Sequence, residues 1–150
     1  MGESCMIREI KPEELDELLA LYAQLHPDDG AAPRERIVAV WQAMLSDPRQ
    51  RVIVAEANGR IVASCVLVLV PNLTRAASGY ALVENVVTDA AHRRQGWATR
   101  CLDYAKALAV REGCYKMMLM TSSKEEGTLR FYERAGYNRA DKTAFVQWLP

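Results

Sequence analysis

The residues with the most chemistry in this chain run Val86-Val87-Thr88-Asp89-Ala90-Ala91-His92-Arg93-Arg94-Gln95-Gly96-Trp97-Ala98-Thr99. They read as the end of a β-strand, a short basic loop and the first turn of a helix. Gly96 and Ala98 carry side chains too small to cover the backbone there. Amides in a first helical turn have no intrahelical partner, and with the helix dipole they form an anion site that Arg93 and Arg94 strengthen. Phosphate or pyrophosphate is the guest such a site suits. The two common nucleotide-loop patterns are missing, since neither GxxxxGK[ST] nor GxGxxG occurs in the chain. Metal and redox chemistry are not spelled out either. Cys5, Cys65, Cys101 and Cys114 are scattered without a CxxC pair, and His26 and His92 are the only histidines.

A strand over Tyr80–Thr88 precedes the loop. Its alternation predicts Glu84, Val86 and Thr88 on one face and Val83, Asn85 and Val87 on the other. Residues 97–112 repeat apolar side chains at Cys101, Leu102, Ala105, Leu108 and Ala109, a helix ended by Gly113. The apolar run 116–121 suits a buried strand. A last helix over 125–135 ends at Gly136, and 143–148 is expected to close as a strand.

Upstream, residues 5–9 form a short strand. Pro12-Glu13-Glu14 opens a helix with Leu15, Leu18, Leu19 and Tyr22 at helical spacing. A second helix from Pro33 places Ile37, Val40, Trp41, Met44 and Leu45 on one stripe before Asp47-Pro48 stops it. Two β-rich runs, 51–57 and Arg60–Val70, are joined by Asn58-Gly59, the dipeptide best suited to a tight hairpin turn. Residues 71–79 are a loop.

These elements fit one compact domain over residues 1–150, with 50% apolar and 25% charged residues. Nineteen basic residues balance nineteen acidic ones, so no net field draws the chain to nucleic acid or to an anionic membrane. The longest apolar run, 61–71, is shorter than the ~20 residues that span a bilayer. The start lacks a basic and apolar leader pattern, and the cysteines read as free thiols, so a cytoplasmic protein is expected.

The spacing Arg93-x-x-Gly96-x-Ala98 resembles the Arg/Gln-x-x-Gly-x-Gly/Ala signature of the GNAT N-acetyltransferase superfamily. The resemblance extends from residue 80 through 137. It includes Thr128-Leu129-Arg130-Phe131-Tyr132-Glu133-Arg134-Ala135-Gly136-Tyr137, similar to the family's Phe-Tyr-Glu-basic-hydrophobic-Gly-Phe segment with Tyr137 for the usual Phe. The N-terminal half matches only in its order of elements. The family often has Asn seven residues before the Tyr; here Glu125 stands there, with Ser122, Ser123 and Thr128 nearby. Within the family, Gly113-Cys114-Tyr115-Lys116 and Glu84-Asn85-Val86-Val87 resemble glucosamine-6-phosphate N-acetyltransferases.

The resemblance implies an α/β fold: a mixed, mostly antiparallel sheet of roughly six or seven strands with about four helices and a central β-α-β unit. Acetyl-CoA would lie in a V between the strand Tyr80–Thr88 and the strand 116–121. The backbone of Val86, Val87 and Thr88 would bond the pantetheine like an added strand. The amides of Arg94, Gln95, Gly96, Trp97, Ala98 and Thr99 would hold the pyrophosphate, with Arg93 beside them.

Acetyl transfer to an amine needs the amine deprotonated, the thioester carbonyl polarised and the leaving thiolate protonated. By resemblance Tyr132 is the general acid, and an N–H near Val86 polarises the carbonyl. Glu84 is the carboxylate placed to relay the amine proton; alternatively it binds the substrate's ammonium or pairs with an arginine. His92 reads as a surface residue and Asn85 as structural, while Arg75 or Arg34 would meet an anionic acceptor.

The expected reaction is direct transfer from acetyl-CoA to a primary amine of a small molecule in a ternary complex, without a metal. An amino-sugar-phosphate or protein-amine acceptor, a non-catalytic CoA-binding sensor and an oligomerisation module are the alternatives. Dimerisation is common among such folds, and the closing strand 143–148 offers an edge for a homodimer.

Overall fold

The structure is a computed structural model that describes Gly2 and residues 4–150. Its centre is the hairpin of β2 (Gln50–Ala57) and β3 (Arg60–Val70). Asn58 and Gly59 turn it with φ of 51° and 79°. Positive φ at both positions matches the right-handed twist of the flanking strands.

β1 (Cys5–Glu9) pairs antiparallel with β2 on one side, and β4 (Tyr80–Thr88) pairs antiparallel with β3 on the other. The last neighbour is β5 (Met117–Leu119), parallel to β4. The order is β1-β2-β3-β4-β5, so β5 is an edge.

Period-2 alternation along the central strands serves two cores. Ile53, Ala55, Cys65, Leu67, Ala81 and Val83 meet α4 (Trp97–Arg111) through Trp97, Cys101, Leu102, Ala105 and Leu108. Val52, Val54, Val66 and Val87 meet Leu15, Leu18 and Leu21 of α1 (Leu15–Leu25) and Trp41 of α2 (Arg34–Ser46). Both sheet faces are covered, which is why β3 reads as almost unbroken apolar sequence. α4 is also the crossover between parallel β4 and β5, the central β-α-β unit expected from sequence.

Four expectations are corrected. Among the described residues the sheet has five strands rather than six or seven. Residues 143–148 do not close it: they adopt no regular structure and all are exposed, because they lie against no strand whose ladder would fix them. The strand expected over 116–121 is confined to Met117–Leu119, and it is half-buried rather than buried, since no strand among the described residues pairs with its outer edge. On α2, Ile37, Trp41 and Met44 pack, whereas Val40 is 53% exposed and Leu45 36%, the helix covering the sheet with a narrower stripe than its sequence suggests. The loop 71–79 also carries one turn, α3 (Thr74–Ala77), in which Arg75, Ala76 and Ala77 have φ of 55°, 57° and 59°. The last helix, α5 (Glu126–Arg134), follows β5. No helix among the described residues is long and apolar enough to cross a membrane.

One ionic cluster ties the start of the chain to the sheet. Arg8 on β1 donates to Glu14 at 2.9 and 2.7 Å and to Glu56 on β2 at 3.0 and 2.7 Å. The Arg8 guanidinium holds the Glu14 carboxyl below its ordinary value of 4.5. A depressed carboxyl contributes stability that is present above its unfolded value and lost as pH falls through the folded one. Arg8→Met is therefore expected to cost about 2 kcal/mol in urea unfolding at pH 7. It should also flatten the acid side of the stability profile below pH 4.5. An unchanged acid slope would show that the cluster does not couple to folding.

Candidate active site

β4 does not keep the alternation its sequence predicts. Val66 of β3 stands opposite Glu84 and Ser64 opposite Val87, so β4 spends one residue more than β3 over the same stretch. The extra residue is a β-bulge at Asn85, whose φ is 52°. Asn tolerates that region better than most residues.

The bulge resets the faces. Glu84 lies on the side of Val66 and Val87, toward α1 and α2, while Val86 packs with the α4 core. Glu84 and Val86, expected on one face, are on opposite ones. Tyr22 of α1 lies behind the bulge, its hydroxyl buried without a hydrogen bond of good geometry. Burial pushes that hydroxyl up to about 12, and the Asn85 side chain pulls it the other way.

The bulge sits where β4 and β5 part. Their ladder runs Ala81↔Met117, Leu82↔Met118 and Val83↔Leu119 and goes no further. From Glu84 to Thr88 the side of β4 that faced β5 is unpaired. Val86 is half-buried, Val87 buried and Thr88 half-buried, paired across to Ala63 of β3.

The chain then enters the basic loop through a clamp that sequence reasoning missed. Gln24 at the end of α1 donates to Asp89 Oδ1 at 2.8 Å and accepts the N–H of Ala90 at 2.9 Å. His92 Nδ1 meets Asp89 Oδ2 at 2.6 Å. The Gln24 amide, then the His92 ring, hold the Asp89 carboxyl below its ordinary value. An isolated Gln on a helix gives no sequence signal for this role.

The signature residues turn twice through positive φ, at Arg94 (62°) and at Gly96 (82°), which is the N-cap of α4. The first helical bond runs from the Arg100 N–H to the Gly96 carbonyl at 3.1 Å. Among the described residues, none of the amides of residues 93–99 makes a hydrogen bond of good geometry to a protein acceptor. Arg93, Arg94, Gln95 and Gly96 are exposed, and Ala98 and Thr99 are half-buried. Trp97 contributes its amide to this row, but its ring is in the core, with Nε1 donating to Gln95 Oε1 at 3.3 Å and the Arg100 guanidinium 4.9 Å over the ring.

Glu84 and Tyr132 come together elsewhere, around a groove of about 810 Å³ along the outer edge of β5. Leu82, Met118, Met120 and Tyr137 line it as well; residues 86–99 do not. The site therefore has two parts, a row of free amides at the start of α4 and a cleft beside β5, separated by the diverging strands.

Tyr132 on α5 is held edge-on between Phe131 at 5.0 Å and Tyr137 at 6.3 Å, centroid to centroid. Burial pushes its phenol above the ordinary tyrosine value, and that of Tyr137 up to about 12. A raised phenol stays protonated at neutral pH and keeps a proton to give. Glu84 is exposed and makes no ion pair among the described residues.

A parallel β-α-β unit with diverging strands, bare amides at its helix start and a protonated tyrosine in the adjoining cleft can hold a phosphate-bearing thioester and protonate a thiolate. The chain is also similar to known proteins. A sequence model described as the acetyltransferase (GNAT) family matches residues 14–137. The chain is 30% identical over 106 residues to a glucosamine 6-phosphate N-acetyltransferase of Trypanosoma brucei brucei, covering 67% of this chain and 70% of that protein. A putative acetyltransferase from Agrobacterium tumefaciens str. C58 superposes with a TM-score of 0.91 at 39% identity, over 96% of this chain and 99% of that one. An aminoglycoside N-acetyltransferase solved in complex with CoA shares the fold, with a TM-score of 0.82 at 17% identity over 99% and 97% of the two chains. By its family match, its relatives and the course of its sheet, the chain belongs to the acetyltransferase (GNAT) family.

Proposed function

We propose that the protein transfers the acetyl group of acetyl-CoA to the primary amine of a small molecule, by direct attack in a ternary complex. The observation that carries this reading is the parting of β4 from β5 after Val83 and Leu119 beside the free amides of residues 93–99. Acetyl-CoA fits there in kind: an amide-bearing pantetheine for the unpaired backbone of Val86, Val87 and Thr88, and a pyrophosphate for the amides of Arg94, Gln95, Gly96, Trp97, Ala98 and Thr99. Arg93 and Arg94 add positive charge at the same end.

When bound, acetyl-CoA supplies a thioester whose carbonyl is open to attack. Glu84, in the cleft, draws the substrate's ammonium and takes its proton directly or through water. The free amine then forms the new C–N bond as the C–S bond breaks, the proton of Tyr132 goes to the departing sulfur, and the second proton shed by the nitrogen returns the Tyr132 phenolate to a phenol. The N–H near Val86 polarises the carbonyl as charge develops on its oxygen.

An amino sugar phosphate is the second acceptor class. The 30% identity to a protein named glucosamine 6-phosphate N-acetyltransferase favours it. Calorimetry with acetyl-CoA, followed by thiol release against amino sugars and their phosphates, amino acids, polyamines and peptides, tests the whole reading. Binding with thiol release on one small-molecule amine class is expected. Tight binding with no release on any class would make the protein a CoA-binding sensor, and release on peptides alone would move the acceptor to proteins.

A further inference from the structure

We propose that Gln24 is a positioning residue for the cofactor: through Asp89 and Ala90 it fixes the upstream end of the basic loop, so that the amides of residues 93–99 stand in place before acetyl-CoA arrives. The assignment of those amides to acetyl-CoA rests on the function proposed above; the fixing of the loop rests on the fold.

The loop is tied at its two ends. Downstream, the buried Trp97 ring and the Arg100 N–H on the Gly96 carbonyl join it to α4. Upstream, the Asp89 N–H donates to the Val62 carbonyl of β3 at 2.8 Å, and the His92 N–H to the Asp89 carbonyl at 2.8 Å. Between these ends, Arg93, Arg94 and Gln95 make no backbone hydrogen bond of good geometry among the described residues. Arg94 also has a φ of 62°, a left-handed conformation that a side chain disfavours. An exposed span of unbonded backbone keeps such a shape only when its ends are fixed.

The upstream end is fixed from a helix distant in sequence. The Gln24 side chain meets two partners at once, its Nε2 donating to Asp89 Oδ1 at 2.8 Å and its Oε1 accepting the Ala90 N–H at 2.9 Å. The other Asp89 oxygen meets His92 Nδ1 at 2.6 Å; an ionised carboxylate only accepts, so that nitrogen carries the proton. Both oxygens of Asp89 and both ends of the turn Ala90–His92 are thus engaged. The support is rigid. Leu18 and Leu21 of α1 are buried, and Glu17, spaced to share the face of Gln24, accepts the Ile61 N–H at 3.0 Å. One helix therefore holds the start of β3 and the end of β4 together.

Charge alone gives Asp89 the opposite role. A carboxylate just ahead of an anion site repels phosphate, so on that ground its removal should tighten CoA binding. Positioning predicts that its removal weakens binding. Without Gln24 the untied span grows from residues 93–96 to residues 90–96, close to a doubling, which by length alone lowers the population of the competent shape about 3-fold. Partial freeing of the turn, which keeps its bond between His92 and Asp89, brings the loss to about 10-fold, and the apparent affinity falls with that population.

Calorimetry on the full chain with CoA as the probe reads this directly. Gln24→Ala and Asp89→Ala are each expected to bind CoA about 10-fold more weakly than the unaltered protein. Gln24→Glu should bind at least as weakly, because two carboxylates then face each other at hydrogen-bond distance. Gln24→Glu/Asp89→Asn exchanges donor and acceptor at unchanged total charge. The carboxylate introduced at position 24 accepts from the Ala90 N–H and from the amide introduced at 89, whose oxygen still accepts from His92. That double variant should return to within about 3-fold of the unaltered affinity.

Gln24 is exposed at the end of α1, so the variants keep the core, and thermal melts check it. A contact that only stabilised the fold would lower the melting temperature and leave CoA affinity alone. On an amine that the unaltered protein accepts, KM for acetyl-CoA should rise with the loss of affinity while kcat at saturation stays within about 2-fold. The reason is that Glu84 and Tyr132 stand in a groove that residues 86–99 do not line.

Hydrogen exchange of the unaltered protein makes the outcome independent of any variant. Without ligand the Ala90 amide should exchange more slowly than those of Arg94 and Gln95, which CoA should then slow. An unprotected Ala90 amide, tighter CoA binding by Asp89→Ala, or a double variant no better than Gln24→Glu would overturn the proposal. Unaltered affinity in Gln24→Ala would remove this role alone, whereas an unaltered protein that binds no CoA would remove the proposed function and this role with it.

Discussion

Gly96→Glu is expected to weaken acetyl-CoA binding by about 100-fold or more, and Gly96→Ala by far less. The two substitutions share one cost and differ in another. Gly96 has a φ of 82°, and a side chain there costs about 1–2 kcal/mol of backbone strain whatever its nature. No heavy atom lies within 4 Å of a Cβ built on it, so neither variant is excluded by a clash. What Glu alone adds is a carboxylate beside the amides assigned to the pyrophosphate.

Two like charges about 4 Å apart near a protein surface repel by about 4 kcal/mol. Screening at an exposed loop, with Arg93 and Arg94 close by, leaves roughly 3 kcal/mol, hence the 100-fold. The same carboxylate is favourable at the positive end of the α4 dipole, so Gly96→Glu should melt no lower than Gly96→Ala. Affinity and stability thus move in opposite directions between the two variants. Calorimetry and thermal melts read both, and an affinity for Gly96→Glu within about 3-fold of the unaltered protein would take the pyrophosphate away from this loop.

The segments that the sequence made legible were those whose local chemistry decides their shape. Asn58-Gly59 set the hairpin, Gly96 and Gly113 bracketed α4, a β-rich run placed β3, and alternation placed the first half of β4. The bulge at Asn85 was not legible. A single Asn in a strand is compatible with ordinary pairing, and only the register against β3 shows the extra residue. Glu84 was accordingly expected on the face of Val86, from which the bulge separates it.

The missing closing strand has a different cause. Residues 143–148 have the composition of a strand, and composition cannot say whether a partner strand lies within reach of the same chain. Gln24 and α3 were missed because hydrogen bonds across about 65 positions and left-handed turns without glycine leave no periodic trace. The turns at Arg94 and Gly96, by contrast, are local, and the spacing Arg93-x-x-Gly96-x-Ala98 marks them in the sequence.

Tyr132→Phe tests the chemistry rather than the binding, and its expected effect is a fall in kcat of about 100- to 10,000-fold, the worth of a positioned general acid. The substitution removes one oxygen from a ring that Phe131 and Tyr137 hold edge-on at 5.0 and 6.3 Å, so the packing of α5 is retained. Acetyl-CoA affinity and melting temperature should barely move.

The pH profile separates a proton donor from a packing ring. Burial raises the Tyr132 phenol above its ordinary value of 10.0, so the group is protonated through neutrality and gives up its proton only in strong alkali. A donor works while protonated. Turnover by the unaltered protein should therefore hold on its alkaline side up to about pH 10 and fall beyond it as the phenol ionises. The Phe variant, with no phenol to lose, should lack that fall and run at its low rate throughout, the thiolate now protonated by water. Full turnover in Tyr132→Phe with the alkaline limb still present would mean that Tyr132 only fills the core beside Tyr137, and that the departing sulfur takes its proton from another source.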